Sequence, residues 1–88
     1  MKPTIGRMVY YHPTSAQVIR MANAPNCNTS ELLPATVVAV WGPNTINLKV
    51  HLDGDEADLW VTSVHEGPGA GQWEWPKIET DQPVYLPE

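Results

Sequence analysis

The segment Ile46-Asn47-Leu48-Lys49-Val50-His51-Leu52 alternates apolar and polar side chains without a break. Successive side chains of a strand point to opposite faces, so a period of two predicts a strand with one buried and one wet face. A lone strand is not stable, so the rest of the chain has to supply neighbours on its two edges.

Two further runs can do so. Residues 35–41 and 59–64 are rich in β-branched and aromatic side chains. Gly42-Pro43-Asn44-Thr45 and Asp53-Gly54-Asp55-Glu56 join them to the alternating segment and read as turns, the second a hairpin with an acidic tip. In 59–64 the two faces are expected to be Leu59, Val61, Ser63 and Trp60, Thr62, Val64. Residues 4–11 form a first strand closed by His12-Pro13. Thr14 or Ser15 then caps a short helix over 16–22, with Val18, Met21 and Ala22 on one face. Pro25 to Ser30 is a polar loop. Residues 72–75 form a last short strand stopped by Pro76, and it is expected at a sheet edge because proline cannot donate to a ladder.

These elements predict a mainly all-β fold: a small five-stranded, SH3-like, partly open barrel with a short helical insertion after strand 1. A five-stranded OB-type barrel is the alternative. One domain spans residues 1–76, with 13–34 as the helical and loop insertion, and residues 77–88 form an acidic, proline-containing tail.

At 88 residues the core is thin. Chains this small gain stability from disulfides, metals or self-association. Cys27 is the single cysteine, which excludes an intrachain disulfide, and the three histidines show no metal-ligand spacing, so no metal or cofactor is expected. A homo-oligomer is what remains. Ten acidic residues against five basic ones give a net charge of −5, and Lys2, Arg7, Arg20, Lys49 and Lys77 are dispersed. Binding DNA or RNA polymers, or an anionic membrane, needs a basic stripe or cluster that this sequence lacks. No apolar run approaches membrane-spanning length, and none follows Met1-Lys2, so a cytoplasmic location is expected.

The sequence contains no nucleophile elbow, P-loop, dinucleotide fingerprint or metalloprotease helix motif. His12, His51 and His65 could each serve as a base beside a carboxylate, yet their spacing supports no particular chemistry, and a non-enzyme is expected. Asp53 to Asp58 lacks the twelve-residue ligand pattern of a calcium loop and reads as a solvated turn. The informative residues are aromatic. Trp60 shares a strand with apolar neighbours on both faces, and a monomer this small cannot bury both. Trp73 and Trp75 project to one face of the last strand. Stacking on Trp60, Trp73 and Trp75, with phosphate held by Arg7, Lys49 and Arg20 and hydrogen bonds from Thr62, Ser63 and Asn47, is a way to hold a nucleotide without a dinucleotide fold.

Several stretches resemble a family of short bacteriophage proteins. They are Lys2-Pro3-Thr4-Ile5-Gly6-Arg7-Met8-Val9-Tyr10-Tyr11, Val40-Trp41-Gly42-Pro43, Ile46-Asn47-Leu48-Lys49-Val50, Thr62-Ser63-Val64 and Trp73-Glu74-Trp75-Pro76. They are spread in order along residues 2–76. The resemblance implies a counter-defence role in the host cytoplasm. By analogy of class, it implies a small oligomer that sequesters a cyclic nucleotide or cyclic ADP-ribose type of immune signal without cleaving it. The alternatives are a module that inhibits a host protein through an acidic and aromatic surface, and a minor virion component.

Overall fold

The alternating segment forms strand β4 (Thr45–Val50), paired along both edges to antiparallel neighbours. Those neighbours are β3 (Leu33–Val40) and β6 (Leu59–His65), and β3 pairs in turn with β1 (Met8–Tyr11). A two-residue strand β7 (Trp73–Glu74) lies against β1, which completes a five-stranded sheet in the order β6-β4-β3-β1-β7. This computed structural model describes residues 2–54 and 57–76. The sheet is curled into a half-barrel, an all-β architecture of the SH3-like, partly open kind expected from the sequence. Its two edges meet at one end through a bridge between Glu66 and Trp73.

The inner face collects Val9, Tyr11, Leu33, Ala35, Val37, Ile46, Leu48, Val50, Leu59, Val64 and Trp73. Helix α1 (Ser15–Asn23) buries Met21 against this set. Thr14 is the cap. Its hydroxyl accepts from the Gln17 backbone N–H, and the Gln17 side chain accepts from the Thr14 N–H, a reciprocal pair that satisfies two donors at the helix start. The buried helix face differs from the expectation: Val18 is half-buried as foreseen, but Ala22 is exposed, and Gln17 and Ala24 are half-buried beside Met21.

Three other expectations are corrected. The polar loop after the helix contains a short strand β2 (Cys27–Asn28), and β5 (Asp53–Gly54) pairs with it as a second, two-stranded sheet. Asp53 and Gly54 therefore belong to a ladder with β2 and are not a free hairpin tip. A side chain at Gly54 would overlap the Asn26 carbonyl, so the close approach of the two strands requires glycine. The alternation expected in β6 breaks at Ser63, whose backbone adopts φ 52. Residues 62 and 63 together face Asn47, a β-bulge that places Val64, not Ser63, on the core side with Leu59 and Val61. The first strand is also shorter than expected, because Gly6 (φ 90) turns the chain before Met8. The tail, 77–88, lies outside the described residues.

Candidate ligand-binding face

The outer face of the sheet carries the side chains that alternate with the core. Register aligns them in rows across the strands: Trp60, Lys49, Thr36 and Met8 form one such row. Trp60 is 63% exposed, although its neighbours Leu59 and Val61 turn inward, so a large indole faces solvent at the β6 side of the sheet. Lys49 is its cross-strand partner and is exposed, and no ion pair engages it among the described residues. Thr62, two residues beyond Trp60, is exposed on the same face. An aromatic plane, a cation and a hydroxyl thus share one patch.

Beside this row runs a hydrogen-bonded chain. Asp58 Oδ2 lies 2.8 Å from His51 Nδ1, and His51 Nε2 lies 2.8 Å from the Thr36 hydroxyl. With its proton on Nδ1, His51 donates to Asp58 and accepts from Thr36 at Nε2. Met8 Sδ is a second acceptor for Thr36, at 3.2 Å, and one hydroxyl proton serves one of the two at a time. His51 also lines a cleft of about 360 Å³ whose walls include Asn28, Ser30, Leu33, Pro34 and Asp53. The Asn28 side chain donates to Asp53 there at 2.8 Å. The sequence marks Asp58 only as the end of an acidic turn and gives Thr36 no mark. The link emerges with the register, since one position beyond the Val50–Leu59 pair brings His51 beside Asp58.

The sequence candidates fall into separate groups. Trp60, Lys49 and Thr62 share the outer face. Asn47 is 8% exposed, and its carboxamide oxygen accepts from Trp41 Nε1 and from the Ser63 backbone N–H, each at 2.9 Å. That bond holds the β6 bulge, which gives Asn47 and Ser63 an architectural role. Trp73 is fully buried, its indole N–H donating to the Asn44 carbonyl at 2.9 Å, so its ring offers no surface on which a base could stack. The expectation that Trp73 stacks on a ligand is corrected accordingly. Trp75 packs edge-to-face on Trp73 with ring centroids 5.2 Å apart, and the Arg7 guanidinium lies 5.5 Å from the Trp75 ring. Arg7 and Trp75 therefore sit at the β1–β7 edge, while Trp60 and Lys49 sit at the β6–β4 side, and the sheet order separates the two groups. Arg20 is exposed on the helix and lines a small recess with Cys27, Ala57 and Leu59, outside both groups.

The other two histidines are placed by polar neighbours. His12 Nε2 lies 2.8 Å from Glu74 Oε2, and His65 Nδ1 lies 3.1 Å from the Thr45 hydroxyl. The fold alters the proton affinity of Tyr11: burial pushes its phenol up, and donation to Gln17 at 2.9 Å offsets part of that rise. Among the described residues no three His, Cys, Asp or Glu side chains converge as a metal site. No helix among them is long and apolar enough to cross a membrane.

Fold and face together define a small β half-barrel with an aromatic and cationic patch on its convex side. Compared with known proteins, the chain matches no family model, no curated protein and no solved structure.

Proposed function

We propose that this protein is a non-catalytic binding protein for a small nucleotide-type anion, and that it acts as a phage counter-defence sponge in the host cytoplasm. The observation that carries the reading is the exposed Trp60 indole directly across from Lys49. A base stacks on the indole, a phosphate pairs with the ammonium, and Thr62 adds a hydrogen bond. The histidine chain adjoins the patch, and its Asp58 carboxylate can accept from a ribose hydroxyl.

Magnitudes limit what one subunit can do. Stacking on one indole contributes roughly 1–3 kcal/mol and one charge-assisted bond roughly 1.5–3 kcal/mol. Their sum, at best about 6 kcal/mol, corresponds to a dissociation constant in the tens of micromolar. Sequestering a scarce signal requires more contacts than one copy of this patch supplies.

The test is native mass spectrometry of the protein with a panel of cyclic dinucleotides, cyclic trinucleotides and cyclic ADP-ribose isomers. Retention of an intact ligand supports the reading. Trp60→Ala and Lys49→Ala should each weaken binding at least tenfold with little change in melting temperature, because both side chains are exposed. Cleavage of the ligand would overturn the non-catalytic role, since an imidazole positioned by a carboxylate beside a hydroxyl is also the arrangement that activates a nucleophile. A clean protein with no adduct across the panel would move the reading to a protein partner. The observation that favours that alternative is a second apolar group, Trp41 at 69% exposure with Val38 and Val40 also exposed.

A further inference from the structure

Among the described residues, strand β6 has a neighbour on one side only. It pairs with β4, and from Leu59 to His65 its other edge carries no ladder among the described residues, apart from the closure that begins at Glu66. Open edges are normally protected by charge, proline or brevity. The opposite edge of the sheet follows that rule: β7 is two residues long and is followed within two residues by Pro76. β6 does not. Its seven residues include no Asp, Glu, Lys, Arg or Pro, in a chain whose net charge is −5. Val61 points toward the core yet is only half-buried, because no strand flanks it beyond β6.

We infer that this edge pairs with the same strand of a second copy, antiparallel about a two-fold axis near Val61, and that the ligand site proposed above spans that axis. Two independent constraints select the register. Pairing across an antiparallel ladder must match core-facing with core-facing and solvent-facing with solvent-facing residues. With Val61 opposite Val61 of the partner subunit, the bulge residues Thr62 and Ser63 together face the partner subunit's Trp60. Val64 then meets the partner subunit's Leu59, core side to core side. His65 meets the partner subunit's Asp58, solvent side to solvent side. Every pair matches in face only because the bulge inserts one residue, and the same register puts an acid opposite an imidazole at both ends. An uncharged strand is also the surface along which two acidic copies meet with least repulsion.

The consequence for the site is duplication. Two-fold pairing sets each Trp60 beside the partner subunit's Thr62 and brings two indoles, two Lys49 ammonium groups and two Thr62 hydroxyls onto one continuous outer face. An isologous interface presents the same groups twice. The matching ligand class has two bases and two phosphates related by the same symmetry, a cyclic dinucleotide. This assignment rests on the nucleotide-binding reading, and it supplies the contacts that one copy lacks.

The experiment is native mass spectrometry of the full chain with cyclic di-GMP and cyclic di-AMP as probes, together with hydrogen exchange over residues 59–64. The expected result is a dimer that holds one cyclic dinucleotide per two chains, with slow exchange across β6. Thr62→Glu places two carboxylates beside the axis at an exposed position. It should give a folded monomer with a lower melting temperature than the dimer, fast exchange in 59–64 and at least a tenfold loss of ligand; Thr62→Lys should do the same. A wild-type monomer at tens of micromolar overturns the inference whether its β6 amides exchange fast or slowly, because slow exchange in a monomer means the chain covers its own edge. A monomer that binds one mononucleotide or cyclic dinucleotide per chain overturns the edge pairing and leaves the function standing. A β6-dependent dimer that binds no nucleotide upholds the pairing and overturns the ligand.

Discussion

The carboxamide of Asn47 takes hydrogen bonds from two residues that lie on either side of it in the chain, the Trp41 indole and the Ser63 backbone. The second bond matters more, because Ser63 occupies a left-handed conformation that a residue with a side chain rarely adopts without support. Asn47→Ala leaves both donors without that acceptor. Losing a bond to a buried acceptor costs about 1–3 kcal/mol. For a domain of this size, a loss of about 2 kcal/mol lowers the melting temperature by roughly 10 °C. Thermal melts followed by circular dichroism check this. A change within 2 °C would show that the bulge does not depend on Asn47. Asn47 was read from the sequence as a base-reading group because an asparagine on the wet face of an alternating strand carries no mark of what it will meet. Trp73 was ambiguous for a related reason: sequence gives its strand parity but not the depth of the core beneath it. Trp60 was legible, since flanking apolar residues on both faces of one strand force some apolar surface outward.

At the scale of elements, the helix and the alternating strand were written locally. Thr14 followed three residues later by Gln17 is a reciprocal cap, and both bonds form. Gln17 does more than the cap requires, because it also accepts from Tyr11 and so ties the helix start to β1. Thr14→Ala should cost about 1 kcal/mol, the usual loss for a cap, and lower the melting temperature by roughly 4–8 °C. Thr14→Ser should recover most of it, which separates capping from packing of the threonine methyl. Equal losses in both variants would assign the effect to packing. The β6 bulge was not legible in the same way. A strict period of two put Val64 outward, and the extra residue at 62–63 returns it to the core. Sequence reading counts along one strand, while a bulge is defined by what lies opposite on another. The β2–β5 pair was missed for the same reason, since two two-residue strands carry no periodicity.

The whole molecule couples these parts through Tyr11, which is buried and donates to Gln17 in the first turn of the helix. Its phenol loses a proton less readily in the folded state than in the unfolded chain. Below about pH 10 both states keep that proton and the group leaves stability independent of pH. As pH rises from there to the higher folded value, the unfolded chain releases it first, so stability falls across that window. Urea denaturation between pH 8 and 11 should show this decline, and Tyr11→Phe should flatten it while lowering stability at neutral pH through loss of the bond to Gln17. A parallel decline in both proteins would assign the effect to other groups.

The local pattern determined the all-β class, the meander of β3, β4 and β6, the capped helix between β1 and β3, and the short final strand at an edge. These follow from side-chain periodicity, turn residues and the missing N–H of proline, all of which act over a few neighbouring positions. Tertiary structure decided which indole is buried, which asparagine supports a bulge, and that Asp58, His51 and Thr36 form one hydrogen-bonded chain. Each of those depends on distances between strands that are far apart in the chain, and such distances are fixed only when the sheet curls and its register locks.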